Sequence, residues 1–222
     1  MIKLTYIHHS CFMLENDTER IIFDPFLEGN PAGLTPQDIK VSYVLVSHAH
    51  GDHLGSTMEI AKNNQATVIT TAEIADLVTS QGLTAHAMHV GGTYQFPFGK
   101  VRLTPAFHGS GIAGGHACGF IVDFYGTTVY FAGDTSLFGD MKLLGELETI
   151  DYALLPIGDN YTMGPSDAVK AVELLGVKHV IPIHYNTWPV IAQDPNQFKQ
   201  AVEAQGNATV TIVAPGTTIE LS

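Results

Sequence analysis

The stretch V-S-H-A-H-G-D-H, residues 46–53, is the most informative part of this chain. It places four potential metal ligands within six residues, namely His48, His50, Asp52 and His53. The apolar run before it predicts a strand, and the segment after it predicts a helix. Burying four such groups without partners would cost several kcal/mol, so packing alone does not explain them.

The spacing of these residues fits two metal ions. His48 and His50 can bind one ion from a loop, whereas Asp52 and His53 can serve a second. Neutral imidazole and carboxylate suit zinc (Zn²⁺), and also iron (Fe²⁺), manganese (Mn²⁺) or nickel (Ni²⁺). We therefore predict two divalent metal ions, with zinc as the favoured metal.

Three more candidate ligands lie farther along the chain. His108, Asp134 and His184 each come directly after an apolar run that predicts a strand. A polar residue just past a strand is held by a rigid scaffold at the edge of a sheet. We expect the three strands to deliver these side chains to a common rim with the histidine-rich stretch.

The rest of the chain predicts two similar halves, each beginning with strands and continuing with alternating strands and helices. The predicted strands cover residues 3–8, 11–15, 21–24, 43–47, 67–70, 87–90, 93–96, 100–107, 119–125, 128–132, 152–157, 179–184, 210–213 and 217–221, and the predicted helices cover 52–63, 72–80, 137–147, 166–175 and 196–205. This pattern indicates an α/β protein with two facing sheets and helices outside. We expect a single domain over residues 1–222.

Composition limits the classes of partner. The chain has 222 residues, 45% of them hydrophobic, which is enough for a core that needs no disulfides. Its net charge of −12 and its scattered basic residues argue against nucleic acid. Cys11 and Cys118 show no pairing pattern, and no signal-peptide or membrane-spanning run is evident. We expect a cytoplasmic protein with a small-molecule substrate and no membrane partner. The sequence leaves open whether the chain forms a homo-oligomer.

The order of these motifs resembles the metallo-β-lactamase superfamily, in which His-x-His-x-Asp-His is followed by a later His, Asp and His. The resemblance covers the whole chain and implies a four-layer αβ/βα sandwich with a dinuclear site at one edge of two mixed sheets. It implies that one metal is held by His48, His50 and His108, and the other by Asp52, His53 and His184, with Asp134 bridging both. Asp24 matches a family aspartate that supports the site without binding metal.

Other segments resemble the superfamily's small metal-dependent hydrolases, which are related to ascorbate-6-phosphate lactonases. The segments are Y-I-H-H-S-C-F (6–12), D-P-F (24–26), G-D-T (133–135), L-P-I-G (155–158) and Y-T-M-G-P (161–165). Two departures fall near the expected pocket. His8 stands where that branch usually has glycine, and residues 159–160 are D-N where a glycine-rich pair is expected.

Two divalent ions a few ångströms apart lower the pKa of a water towards about 7 and polarise a substrate oxygen. Asp52 and Asp134 are the candidate catalytic carboxylates, because they can orient that water or carry its proton. The implied reaction is hydrolysis of an ester, lactone or phosphodiester bond.

Substrate contacts are sought among polar residues near the predicted ligands. His9 follows the opening strand, and His116 follows a glycine-rich loop after His108. Asn160 and Thr162 come after a strand end, together with Tyr161. Tyr185 and Trp188 follow His184 and are candidates for an aromatic wall or for core packing.

Two other classes of function compete with a hydrolase. A mononuclear iron oxidoreductase, similar to sulfur dioxygenases of the same fold, would use the same first-site ligands. His53 and His184 favour two metals over that alternative. A non-catalytic scaffold would usually have lost ligands, and all seven are present in this sequence.

Overall fold

The computed structural model describes residues 1–221 and contains two similar sets of strands and helices. The first set, in chain order, is β1 (Ile2–His8), β2 (Cys11–Glu15), β3 (Arg20–Phe23), β4 (Tyr43–Leu45), α1 (Gly51–Leu54), α2 (Thr57–Asn64), β5 (Thr67–Thr71), α3 (Ala72–Ser80) and β6 (Ala85–Met88). The second set is β7 (Thr93–Phe96), β8 (Gly99–Pro105), β9 (Cys118–Phe124), β10 (Thr127–Phe131), α4 (Met141–Leu147), β11 (Tyr152–Pro156), α5 (Pro165–Leu175), β12 (His179–Ile183), α6 (Pro195–Glu203), β13 (Thr209–Val210) and β14 (Thr217–Leu221).

Within residues 1–221 the strands form two mixed sheets of seven strands each. The first sheet has the order β14-β1-β2-β3-β4-β5-β6, and the second has the order β13-β12-β11-β10-β9-β8-β7. Each sheet is antiparallel on one side, where hairpins connect the strands, and parallel on the other. The last strand, β14, pairs with β1 and so returns the chain to the first sheet.

Three layers of buried side chains separate the sheets from each other and from the helices. Phe23 faces the opposite sheet, whereas its neighbour Ile22 packs under the helices of the first set. In the second sheet, Phe131 faces the opposite sheet, whereas Tyr130 packs under the helices of the second set. Because successive side chains of a strand point to opposite faces, strands that are apolar throughout need a cover on both sides. The predicted four-layer αβ/βα sandwich is confirmed.

The helix predicted over 52–63 is broken in two. Gly55 separates α1 from α2 with a φ of +41°. A Cβ at this position would lie 2.4 Å from the carbonyl oxygen of Pro25. The Ser56 amide donates to that same oxygen at 2.9 Å, so the loop after β3 packs directly against the break.

Other differences from the predicted boundaries also have local causes. The strand predicted over 87–90 lies at Ala85–Met88, because the Gly92 amide closes a turn on the His89 carbonyl. The helix predicted from residue 137 begins only at Met141, after Gly139, a poor helix former. The strand predicted over 210–213 shrinks to Thr209–Val210, which pairs with only two residues of β12. Within residues 1–221, no helix is both long and apolar enough to cross a bilayer.

The core between the sheets should dominate stability. Leu154 is fully buried there, whereas Leu147 is 63% exposed on α4. We expect Leu154→Ala to lower the free energy of unfolding by about 2–5 kcal/mol, because it removes a packed side chain and leaves a cavity. Leu147→Ala should change it by less than about 0.5 kcal/mol. Urea unfolding followed by circular dichroism measures both, and equal losses would contradict the layer assignment.

Candidate metal centre

A buried carboxylate after β3 orders the histidine-rich loop. Asp24 accepts hydrogen bonds from the Ser47 amide at 2.7 Å, from the Ser47 hydroxyl at 2.5 Å and from His53 Nδ1 at 2.6 Å. Ser47 Oγ in turn lies 2.9 Å from His48 Nδ1, which donates to it. With their Nδ1 protons engaged, the neutral rings of His48 and His53 present the Nε2 lone pair to the site.

The first histidine cluster contains His48, His50 and His108. Their candidate ligand atoms all lie within 4.8 Å of one another. His48 Nε2 lies 3.0 Å from His50 Nδ1, and the His108 ring packs edge-on to both rings. Since these three residues come from two loops at the same edge, the structure brings the three predicted ligands of one metal together.

The second cluster contains the predicted ligands Asp52, His53 and His184, together with His9. Their candidate ligand atoms also lie within 4.8 Å of one another. His9 Nε2 is 3.2 Å from Asp52 Oδ2, and its ring centroid is 4.0 Å from that of His184. The His184 amide donates to the His9 carbonyl at 2.8 Å, which fastens the end of β12 to the turn after β1.

Asp134 lies between the two clusters. Its Oδ2 is 3.5 Å from His108 Nε2 in the first cluster, and 3.3 Å and 3.1 Å from the Nε2 atoms of His53 and His184 in the second. Gly133, with a φ of +62°, allows this approach, because a Cβ there would lie 2.7 Å from the Cys118 carbonyl oxygen.

The residues present fit metal ions. The buried atoms His53 Nε2, Asp134 Oδ1 and both ring nitrogens of His184 have no hydrogen-bond partner. Buried polar atoms are normally satisfied, so unpartnered atoms on three neighbouring side chains of the site call for a ligand. The donor set is imidazole nitrogen and carboxylate oxygen, which suits zinc and related divalent ions.

Burial and neighbouring charge set the protonation of these groups. Burial lowers the pKa of His48 to about 2 and that of His9 to about 4, so both rings are neutral near pH 7. Burial opposes ionisation of Asp134, but the His53 and His184 rings hold its pKa well below its usual range. Burial also disfavours a charged His53, yet Asp134 and Asp24 raise the pKa of His53 well above its usual value. A metal ion that binds His53 therefore displaces a proton.

A cleft of about 680 Å³ opens over the two clusters. Metal-centre residues form its floor, and side chains from three loops form its walls. The lining residues are Phe26, Glu28, His50, Gly51, Asp52, His108, Asp134, Tyr161, His184, Trp188 and Val190.

The structure separates the predicted substrate residues. His9 lies against the second cluster, as described above. His116 is exposed, with its ring centroid 6.5 Å from that of His89, and it does not line the cleft. Asn160 and Thr162 also lie outside the lining residues, whereas their neighbour Tyr161 is among them. Substrate contact by His116, Asn160 or Thr162 stays a prediction.

Sequence reasoning missed part of the cleft wall. Phe26 and Glu28 line the cleft two and four residues after Asp24, and the same strand-end argument that found the ligands could have found them. Val190 lies in a short 3₁₀ turn after Trp188, and nothing in the sequence pattern marks it as a cleft residue. Of the two aromatic candidates after His184, Trp188 lines the cleft, whereas Tyr185 packs against the core under the outer helices.

Fold and site together define a metal-dependent hydrolase of the metallo-β-lactamase fold. Residues 19–185 match the family model described as beta-lactamase superfamily domain, and the chain belongs to this family.

Relatives support the same class. A UPF0173 metal-dependent hydrolase from Natranaerobius thermophilus is 51% identical over 100% of both chains. Another from Desulforamulus reducens is 49% identical over 97% of this chain and 98% of the relative. The structure of Igni18, a metallo hydrolase from Ignicoccus hospitalis, superposes with a TM-score of 0.92 at 40% identity, over 98% of this chain and 97% of that one.

Asp24 offers a test of how the site is held. Asp24→Asn should weaken metal binding about 10–100-fold, because the carboxylate accepts hydrogen bonds with both oxygens and the amide has only one acceptor oxygen. Competition with a chromogenic chelator measures the affinity. The matched control is Asp17→Asn, an exposed carboxylate in the turn between β2 and β3. Unchanged affinity in Asp24→Asn would contradict this role.

Proposed function

We propose that this protein uses two divalent metal ions, with zinc favoured, to hydrolyse an ester, lactone or phosphodiester bond of a small cytoplasmic metabolite. The observation that carries the proposal is the position of Asp134 Oδ2, within 3.5 Å of ring nitrogens of His53, His108 and His184. One carboxylate oxygen thus lies between two groups of ligands, as a bridge between two ions requires.

The ligands divide by their proximity to one another. One ion would be held by His48, His50 and His108, the other by Asp52, His53 and His184, and both by Asp134. When bound, two such ions supply a water of lowered pKa and polarise the oxygen of the scissile group.

Asp52 is the carboxylate best placed to handle the proton of the attacking water. Its side chain is 25% exposed and lines the cleft, whereas that of Asp134 is 3% exposed. Its partial burial opposes ionisation, yet the hydrogen bond from His9 and the His53 ring lower the pKa of Asp52. An ionised, cleft-facing carboxylate can accept a hydrogen bond from water and pass its proton to the leaving group.

His9 positions Asp52. Its Nδ1 lies 2.8 Å from the Thr187 hydroxyl, and its Nε2 lies 3.2 Å from Asp52 Oδ2. A neutral ring that accepts from Thr187 at Nδ1 donates from Nε2, so His9 fixes one oxygen of Asp52. His9 is 1% exposed, and Trp188 packs on its ring, which limits the rotation of the imidazole.

Metal content tests the two-ion proposal. Zinc-loaded protein should contain about two equivalents per chain, and prolonged dialysis against a chelator should abolish hydrolysis of a confirmed substrate. Asp134→Ala should lose activity and weaken both sites, because one carboxylate serves both ions. Elemental analysis and steady-state kinetics measure these effects.

Asp140→Asn, at the exposed N-cap just before α4, is the control for Asp134→Ala. Metal binding could instead saturate at one equivalent per chain, with iron as the retained metal and oxygen consumed in turnover. That result would contradict the hydrolase and support the mononuclear iron oxidoreductase.

The role of His9 predicts a change in kcat rather than in metal content. His9→Ala should lower kcat about 10–100-fold with nearly full metal occupancy, because Asp52 loses its fixed hydrogen bond. His9→Gln, which can donate through its side-chain amide, should recover part of the loss. The control is His179→Ala at the start of β12, which pairs with Thr209 far from the cleft. Loss of one metal equivalent in His9→Ala would instead make His9 a ligand.

A further inference from the structure

The cleft wall above the metal centre is apolar and open. Tyr161 is 54% exposed, Trp188 37% and Val190 53%, and all three line the cleft with Phe26. The four residues come from three segments, around residues 26, 161 and 188–190, that meet only in the folded chain. Large apolar side chains exposed together at one site usually mark a surface that another molecule covers.

Two aromatic side chains of this wall, Trp188 and Phe26, pack against other rings. Trp188 packs on His9 with ring centroids 4.9 Å apart and on Phe26 at 6.1 Å. Phe26 stacks on His8 at 5.2 Å with the rings nearly parallel. A wall held by such contacts can bind an apolar group with little loss of side-chain entropy.

The cleft wall carries a negative charge outside the proposed metal ligands. This charge is that of Glu28, whereas the charges of Asp52 and Asp134 would be offset by the ions that they hold. The chain has 10 lysines and arginines, all of them outside the lining residues. Several are engaged elsewhere with carboxylates, as in the pairs Arg20–Glu15, Lys100–Glu148 and Lys199–Glu203. Phosphate and carboxylate groups are normally recognised by such cations.

We propose that the wall of Phe26, Tyr161, Trp188 and Val190 binds an uncharged apolar group of the substrate, and that Glu28 disfavours substrates with an anionic group away from the scissile bond. This rests on the proposed hydrolysis at the metal centre and narrows it to neutral esters and lactones, at the expense of phosphorylated ones. A net charge of −12 adds to the repulsion of anionic substrates.

Two esters with the same scissile bond test the inference in the zinc-loaded protein. p-Nitrophenyl hexanoate is neutral, whereas p-nitrophenyl monoadipate has the same acyl length and a terminal carboxylate. We expect kcat/KM to be about tenfold higher for the hexanoate, as differences in charge and apolar contact of this size give. Equal values, or a preference for the adipate, would overturn the inference while leaving the hydrolase in place.

Variants of the wall sharpen this comparison. Glu28→Gln should lower the ratio of kcat/KM for the hexanoate to kcat/KM for the adipate about threefold, the effect of one exposed charge. Glu28→Lys should lower this ratio further. Glu146→Gln, an exposed carboxylate on α4, is the matched control and should leave the ratio unchanged. Trp188→Ala should lower kcat/KM for the hexanoate about tenfold, whereas Trp188→Phe should retain most of the kcat/KM of the unmodified protein. Full metal content in each variant is checked by elemental analysis.

Binding can be measured without turnover, because Trp188 is the chain's one tryptophan. Its fluorescence therefore reports directly on the cleft. Titration with 2-heptanone, an uncharged and non-hydrolysable analogue of the acyl chain, should change the emission with saturation. Absence of a change would overturn the inference. If neither ester is hydrolysed by fully loaded protein, ester hydrolysis fails, and this titration still decides whether the wall binds an apolar group.

Discussion

The buried carboxylate of Asp134 is the constraint on which the rest of the site depends. An ionised group that is 3% exposed is costly unless positive charge or hydrogen bonds compensate for it. Here the surroundings are three imidazoles, His53, His108 and His184, with ring nitrogens that lack other partners or face the same point. Divalent ions between these groups would satisfy the carboxylate and the rings at once, which would account for a polar cluster of this size at the edge of two apolar sheets.

A set of hydrogen bonds outside the ligands holds this arrangement in register. Asp24 ties the end of β3 to Ser47 and His53, so two neighbouring parallel strands deliver the histidine-rich loop together. His9 ties the first sheet to the second, because its carbonyl accepts from the His184 amide. Both His9 and His184 adopt positive φ values, 56° and 53°, which are uncommon for residues other than glycine. Such strained positions cluster at functional sites, where surrounding contacts over-determine them.

The cleft adds selectivity to a centre that could by itself act on many bonds. Metal ions bind the reacting oxygen whatever the remainder of the substrate carries, so discrimination must come from the walls. Aromatic and aliphatic side chains together with Glu28 give those walls an apolar, negative character. The family relationship fixes metal-dependent hydrolysis, whereas the choice of substrate depends on the residues of the individual site.

The sequence by itself determined the sheets, the alternation of helices and the seven candidate ligands. It could do so because strands that are buried on both faces read as apolar runs, and because side chains just past such strands converge at one edge. Only the tertiary structure decided that His9 contacts Asp52 while His116 faces solvent near His89. It alone also brought Phe26, Tyr161 and Trp188 to one wall and broke the helix at Gly55. Those outcomes depend on how loops distant in sequence pack against each other and on backbone angles imposed by that packing, which local residue patterns do not encode.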